Sequence, residues 1–255
     1  MERKIPQIVH FCWFGHQPLP ELAKRCIASW KKFLPNYEIK IWTEENFDVF
    51  AIPYTTEAYR LKKYAFVSDY ARYWILYHYG GIYFDTDVEI IATIEDIINQ
   101  GAFMGFEHPE GKPTDNPHGN IGPGLGMGSP KGNPYFKRII KYYQQDHFIG
   151  WNGRYTGNVG AKAIQFLDFD HKEVLEGGIV RVNDIFIYPP DYFCPLNCYT
   201  GEMHLTENTR TIHHYMASWA RRMNRMQAVW QRIRFLSMRL YCMFTFYFHK
   251  KNQPL

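Results

Sequence analysis

Two carboxylates one residue apart, Asp85 and Asp87, close the run Gly80-Gly81-Ile82-Tyr83-Phe84-Asp85-Thr86-Asp87-Val88-Glu89. In an extended segment residues i and i+2 point the same way, so both acids can address one small volume just past a strand end. Hard divalent cations such as Mg²⁺ or Mn²⁺ take carboxylate oxygens and keep positions open for substrate phosphates. The pair therefore suits a metal that ties a diphosphate to the protein. Acids at this spacing also occur in plain solvated turns, and the neighbouring residues separate the two readings. Just upstream runs Phe66-Val67-Ser68-Asp69-Tyr70-Ala71-Arg72-Tyr73-Trp74-Ile75-Leu76-Tyr77-His78-Tyr79. Ser68 or Asp69 is a helix start, and Gly80-Gly81 is a stop that reverses the chain into the Asp-Thr-Asp strand. The helix is apolar nearly all round and hence buried. Asp69 and Arg72 share one of its faces, so they either pair with each other or turn toward a polar ligand.

The segments Ile8-Val9-His10-Phe11-Cys12-Trp13-Phe14-Gly15, Ser68-Asp69-Tyr70-Ala71-Arg72 and Gly80-Gly81-Ile82-Tyr83-Phe84-Asp85-Thr86-Asp87 resemble the opening strand, buried helix and Asp-x-Asp block of glycosyltransferase family 32. That family holds the yeast α-mannosyltransferases and many bacterial capsule and O-antigen transferases, with the clostridial glucosylating toxins as more distant relatives. His213-His214-Tyr215-Met216-Ala217-Ser218-Trp219 resembles the family's closing His-rich and Ser-Trp element, whereas residues 100–200 match loosely. The resemblance implies that Trp13 packs against the nucleotide base, that Asp69 and Arg72 hold sugar hydroxyls, and that Tyr83 and Asp85 contact ribose and sugar. It places Mn²⁺ or Mg²⁺ on Asp87, with Asp85 and His214, and closes Ser218 and Trp219 over the diphosphate. On the residues alone, His213 and His214 lie on opposite faces of an extended segment, so at most one of them faces the metal. Trp13 is followed by Phe14-Gly15-His16, a turn-like exit that leaves it at a strand end, where ligands bind in open α/β sheets.

The elements that must carry these residues alternate along the chain. Strands are expected over Ile5–Trp13 and Tyr37–Trp42, and helices over Pro18–Phe33 and Ala65–Tyr79. Beyond the Asp-Thr-Asp strand, helices fit Pro134–Gln145 and Asn158–Leu167, and strands fit Ile179–Val182 and Ile185–Tyr188. This βαβ order predicts a mainly parallel sheet with helices on both faces, and the resemblance makes it a GT-A-like Rossmannoid α/β fold. Residues 107–134 collect Gly, Pro, Asn and His without periodicity and read as a lid over substrate or as a disordered insert. Within them Gly124-Leu125-Gly126-Met127-Gly128 reads as a strand with close backbone packing.

With 255 residues and an aromatic share of 18%, the chain can bury a large core as one catalytic domain, assigned to residues 1–219. Its five cysteines are odd in number and scattered, as expected of free thiols in a reducing compartment, and Cys194 with Cys198 has no second pair to make a zinc site. The run at Ile5 has no apolar segment before it, so neither a signal peptide nor an N-terminal span is read. The expected setting is the bacterial cytoplasm, on the inner face of the cell membrane.

Residues 220–255 form the second unit, a basic amphipathic tail. All 25 Asp and Glu lie before residue 220, whereas Arg221, Arg222, Arg225, Arg232, Arg234, Arg239, Lys250 and Lys251 follow it. On a helical wheel Arg221, Arg225, Arg232 and Arg239 form one stripe, and Met223, Met226, Val229, Trp230, Ile233, Leu240, Tyr241, Phe244 and Phe248 gather on a broad opposite face. Such a helix lies in the headgroup region of an anionic membrane surface, and its apolar stretch is too short to span. The competing reading docks it on the acidic surface of the body. No nucleic-acid reading motif accompanies the basic stripe.

Taken with the resemblance, the expectation is a metal-dependent, retaining glycosyltransferase that moves a hexose from a nucleotide sugar, UDP-linked before GDP-linked, to a saccharide acceptor that the tail implies is lipid-linked, in surface polysaccharide biosynthesis. Retention follows from the resemblance alone. Asn158, Asp184 and Asp191 stand in loops, but nothing marks one as a nucleophile. Two alternatives remain: a haloacid-dehalogenase-type phosphohydrolase, whose Asp-x-Asp motif Phe84-Asp85-Thr86-Asp87-Val88 formally matches, and a catalytically silent sugar-binding protein. The hydrolase reading leaves Trp13, Asp69 and Arg72 idle and expects its motif on the first strand.

Overall fold

A computed structural model describes residues 5–107, 120–156, 159–198, 200–216 and 225–251. The chain opens with β1 (Ile8–Cys12), α1 (Glu21–Phe33), β2 (Glu38–Trp42), α2 (Pro53–Arg60), α3 (Tyr64–Tyr79) and β3 (Gly81–Tyr83). It continues through β4 (Val88–Ile90), α4 (Glu95–Gln100), β5 (Ala102–Glu107), β6 (Asn120–Ile121), β7 (Met127–Ser129), α5 (Pro134–Gln145) and α6 (Val159–Ile164). Then follow α7 (His171–Leu175), β8 (Val180–Val182), β9 (Ile185–Tyr188), α8 (Pro190–Phe193), β10 (Thr211–His213) and α9 (Arg225–Lys251).

The main sheet runs β2-β1-β3-β7-β5-β9-β8, with β6 paired to β5. From the pairings, β2, β1, β3, β5 and β9 point one way, and β7 and β8 run against them. The sheet is therefore mixed, with its parallel majority interrupted where β7 enters between β3 and β5. Apolar residues cover both faces. One layer packs α2, α3 and α5 through Tyr54, Val67, Tyr73, Phe136 and Tyr143, and the other packs α1, α4 and α8 through Cys26, Trp30, Ile98 and Phe193.

Helix α1 shows how the sequence positions the site. Glu21 in its first turn and Lys31 and Lys32 in its last agree with the helix dipole, and its buried residues Ala23, Cys26 and Trp30 form one stripe. From this helix the Trp30 indole donates to the carbonyl of Val88 at 2.7 Å, and the Ser29 hydroxyl accepts from the amide of Ile90 at 2.9 Å. Both bonds pin β4, the strand that leaves the Asp-Thr-Asp segment. On the other side of that segment, Gly80 and Gly81 take φ of 67° and 95°. A Cβ on Gly81 would stand 2.6 Å from the carbonyl oxygen of Ile8, so only glycine allows α3 to reverse directly into β3.

Beneath that reversal lies His10, fully buried. Its Nδ1 accepts from the Trp42 indole at 3.1 Å, which leaves Nε2–H to donate to the Gly80 carbonyl at 2.9 Å. Burial, helped by Lys40 and opposed by the bond to Gly80, lowers its pKa from 6.5 to about 4. The unfolded chain therefore takes up this proton first on acidification, and His10 should reduce stability by about 3 kcal/mol as pH falls from 6.5 to 4. His10→Gln, which cannot titrate, should be less stable than wild type at neutral pH yet show a shallower decline across that window. Denaturant unfolding at several pH values reads both, and equal slopes would show that His10 is not held neutral.

Candidate active site

Strands β2, β1 and β3 are parallel, and β5 shares their direction, so the residues leaving their carboxyl ends meet on one edge of the sheet. Trp13 follows β1, Asp85 follows β3 and Glu107 ends β5. Helix α3 runs back against these strands, which brings its first half, with Asp69 and Arg72, to the same edge. The crevice at the carboxyl ends of strands is where open α/β sheets bind ligands.

At this edge Arg72 is the centre. Its Nε donates to the Ser68 carbonyl at 3.0 Å, and Nη2 donates to Asp69 Oδ1 at 3.0 Å. The same nitrogen stands 3.3 Å from Asp85 Oδ1, and the guanidinium lies 5.1 Å above the Tyr83 ring. Burial opposes the charge, but Asp85, Tyr83 and Asp69 outweigh it and the pKa of Arg72 is raised. Asp69 shows the reverse balance: burial pushes its carboxyl up to about 6 in spite of Arg72. Tyr83 is itself buried and donates its hydroxyl to Asp85 Oδ1 at 2.9 Å, so it holds Asp85 rather than offering a face to a ligand.

Asp85-Thr86-Asp87 is a turn and not the extended segment expected from its i, i+2 spacing: the Val88 amide donates to the Asp85 carbonyl at 3.1 Å. The turn sends the two carboxylates to different partners. Asp85 goes to Arg72 and Tyr83, whereas Asp87 Oδ1 accepts from His213 Nε2 at 3.1 Å and Oδ2 from the Met216 amide at 2.8 Å. Burial would raise the pKa of Asp87, but the hydrogen bond and charge of His213 together with the Met216 amide hold it down at about 2. The charged form of Asp87 is thus strongly favoured at neutral pH.

The histidine beside Asp87 is His213, and His214 turns away to Glu89, with Nε2 2.8 Å from Oε2. The cause is register. In the antiparallel pair of β10 with β4, His213 stands opposite Val88, and a neighbour one residue on must face the other side. Sequence spacing cannot supply that register. His213 Nδ1 is buried without a hydrogen-bond partner among the described residues, its ring packs 4.2 Å from that of Tyr215, and its pKa is raised, with Asp87, Asp85 and Glu107 overcoming burial. Glu107 also escaped the sequence reading, because it heads the aperiodic stretch after β5. Burial raises its carboxyl, which accepts from the Tyr215 hydroxyl at 3.4 Å. Trp13 stands half-buried at the mouth of β1, its indole donating to the Gln17 carbonyl at 2.5 Å. Ser218, Trp219 and Asn158 lie outside the described residues. Asp184 pairs with Arg181 at the surface and Asp191 accepts from Thr206 and Asn208, so both have structural partners.

Carboxylate oxygens such as those of Asp85 and Asp87 are the hard donors that Mg²⁺ or Mn²⁺ prefer, and the Asp85 side chain keeps 28% of its surface open. Among the described residues no group of three or more His, Cys, Asp and Glu is placed to enclose a metal. Two carboxylates with the remaining positions left to phosphate and water is the usual protein share of a magnesium-type site, so the residues fit such an ion.

Residues 20–104 match the family model described as "Glycosyltransferase sugar-binding region containing DXD motif". The chain thus carries a glycosyltransferase sugar-binding region of the DXD type, and Asp85-Thr86-Asp87 lies inside it. It is 28% identical over 198 residues to a mannosyl phosphorylinositol ceramide synthase of Saccharomyces cerevisiae, covering 74% of this chain and 48% of the yeast one. It is also 28% identical over 145 residues to inositol phosphoceramide mannosyltransferase 3 of Schizosaccharomyces pombe, covering 54% and 36%. An uncharacterised glycosyltransferase of Acanthamoeba polyphaga mimivirus is 27% identical over 230 residues, covering 85% of this chain and 84% of the viral one. The chain thus spans half or less of the two yeast enzymes. Among solved structures, PaToxG glycosyltransferase superposes with a TM-score of 0.41 and 18% identity over 54% of this chain and 59% of that one.

The loop after β6 presses on the site at Gly124, whose carbonyl accepts from the Asp85 amide at 3.1 Å. A Cβ there would stand 2.1 Å from Asp85 Oδ2. Gly124→Ala should therefore push the Asp85 carboxylate off Arg72 and lower turnover at least tenfold, roughly the effect of a small misplacement at a reacting centre, and should lower the melting temperature too because a buried ion pair is loosened. Donor turnover measured beside a thermal melt decides it. Wild-type turnover would mean that the loop does not set the position of Asp85.

Proposed function

We propose that the protein is a metal-dependent, retaining glycosyltransferase that takes a hexose from a nucleotide sugar and passes it to a lipid-linked saccharide or glycolipid hydroxyl. The observation that carries this reading is the convergence of Asp69, Arg72, Tyr83 and Asp85 into one hydrogen-bonded group beside the ionised Asp87, inside the matched sugar-binding region. A phosphohydrolase built on Asp85 would need that carboxylate free to attack phosphorus, whereas here it is bound by Arg72 and Tyr83.

In this reading the nucleotide base lies against Trp13, and the sugar hydroxyls bond to Asp69, Arg72 and Asp85. Guanidinium and carboxylate groups held by each other in a fixed geometry orient a pyranose without having to be ordered on binding. Asp85 and Asp87 would hold Mg²⁺ or Mn²⁺. The ion, when bound, would stabilise the charge that grows on the departing diphosphate, a Lewis-acid role. Glycosyl transfer breaks the bond between the anomeric carbon and the diphosphate oxygen, which keeps the electron pair, and forms one to the acceptor oxygen, whose proton is released. The two yeast relatives are named for mannosyl transfer to inositol phosphoceramide, and these names support a hexose donor and a lipid-borne acceptor here. Between UDP- and GDP-linked donors the residues make no choice. A role in surface polysaccharide rests on the family resemblance alone.

A screen of UDP- and GDP-sugars should find one donor that the purified protein hydrolyses only when Mn²⁺ or Mg²⁺ is added. Asp87→Asn should lower that rate by roughly 100-fold or more, on the scale of removing a charge-stabilising group from an active site, while the chain stays folded. Metal-independent hydrolysis, or an Asp87→Asn variant near wild type, would remove the metal assignment. Arg72→Lys tests the sugar contact separately, since an ammonium cannot reproduce the planar fork that reaches Asp69 and Asp85. Donor KM should rise at least tenfold, on the scale of a lost bidentate contact. A large loss of melting temperature with unchanged donor binding would make Arg72 purely structural.

A further inference from the structure

Helix α9 packs against the body with Phe235 and Cys242 buried and Met238 partly so. Arg239 is buried with them; its guanidinium donates to the Ile149 carbonyl and lies 3.9 Å over the Trp151 ring. At 100° per residue these four side chains occupy one side of the helix, and Met226, Val229, Trp230, Ile233, Leu240 and Phe244 fall on the opposite side. That side faces solvent: Met226 is 69% exposed, Trp230 66%, Phe244 64% and Ile233 53%. A solvated surface helix is expected to do the reverse, with its apolar stripe on the core. The exposed stripe runs from 226 to 244, roughly 28 Å, and exposed aromatic residues flank it. Trp151 lies under Arg239 on one flank, and on the other Arg60 bridges the rings of Tyr241 and Phe50. So long an apolar surface on a convex helix marks an interaction site.

Charge selects the occupant. Between residues 225 and 251 there are six Lys and Arg and no Asp or Glu, and the exposed Arg232 and Arg234 border the apolar stripe on its two sides. A second copy joined through a two-fold axis would set these cationic borders against themselves. An anionic lipid surface is complementary to both parts, taking tryptophan and aliphatic side chains into the acyl boundary and arginine at the headgroups. Among the described residues no helix is long and apolar enough to cross a membrane. We propose that the outward face of α9, with Trp151 and Phe50 beside it, docks on an anionic bilayer, the helix lying in the plane of the headgroups. Docking is read without turnover, so it stands or falls apart from the glycosyl-transfer reading.

The test is co-sedimentation of the full chain with phosphatidylcholine vesicles, with and without phosphatidylserine. The protein should pellet with the anionic vesicles and be released by salt. Trp230→Glu combined with Ile233→Glu should weaken partitioning at least roughly tenfold, on the scale of losing buried apolar side chains, and Phe244→Glu should do so from a separate position. Arg232→Gln with Arg234→Gln should cost about fivefold per charge, and only when phosphatidylserine is present. All of these residues are exposed, so melting temperature and donor hydrolysis should stay at wild-type values. A protein that stays in the supernatant at low salt overturns the proposal, as does equal, salt-insensitive binding to both kinds of vesicle. So does a concentration-dependent dimer that the glutamate variants dissociate, which would make a second copy the occupant.

Discussion

The guanidinium of Arg72 sets the arrangement of the whole sheet edge, because a charge that is 3% exposed must find its counter-charges inside the protein. It finds two, Asp69 one turn away on its own helix and Asp85 across the edge on the segment leaving β3. Breaking a buried pair of this kind leaves an uncompensated charge, which is far more costly than never having built it. Arg72 therefore locks α3 to the exit of β3, and the reversal at Gly80 and Gly81 keeps the two elements close enough for the lock to form. Tyr83 completes it from below, giving its hydroxyl to Asp85 and its ring face to the guanidinium.

The charge balance of this group is uneven in a way that suits a ligand. Two carboxylates face one guanidinium, and burial leaves Asp69 at about 6, still able to hold a proton near neutrality. Asp85 keeps part of its surface open, and Asp87 stays ionised because His213 and the Met216 amide face it. Anionic oxygen is thus held at the edge by groups that cannot easily move away, the condition under which a hard cation and the phosphates it carries bind without reorganising the protein.

Much of this was legible in the chain. Helix α5 falls where Pro134 and the apolar spacing put it, and α3 begins one residue before its expected start, since strong periodicity and glycine stops are local signals. Helix α2 was not read, because Pro53-Tyr54-Thr55-Thr56 looks like turn chemistry until tertiary packing buries Tyr54, Thr55, Thr56 and Glu57. The pair β4–β10 was missed because three-residue strands carry too little pattern to separate from loop. The spacing says only that His213 and His214 face opposite ways, since the face each takes in a short strand depends on a partner more than a hundred residues away. The antiparallel entry of β7 has the same origin: its glycines show close packing but not direction.

The tail makes the limit of pattern reading concrete. Its amphipathic wheel is plain in the sequence, but a wheel defines two faces and not which of them meets the body. Ordinary burial would turn the apolar face inward. Here the inward contact is made instead by a narrow strip, Phe235, Met238, Arg239 and Cys242, that fits between α2 and the loop around Trp151. The Phe235 ring packs at a tilt 5.5 Å from that of Tyr155, which lies against Phe66 of α3, so the strip joins the core next to the helix that carries Asp69 and Arg72. The aromatic core therefore ties the orientation of α9 to the sheet edge that carries Asp69, Arg72 and Asp85. A surface held by the outer side of this helix would meet that edge at a fixed angle instead of through a loose tether.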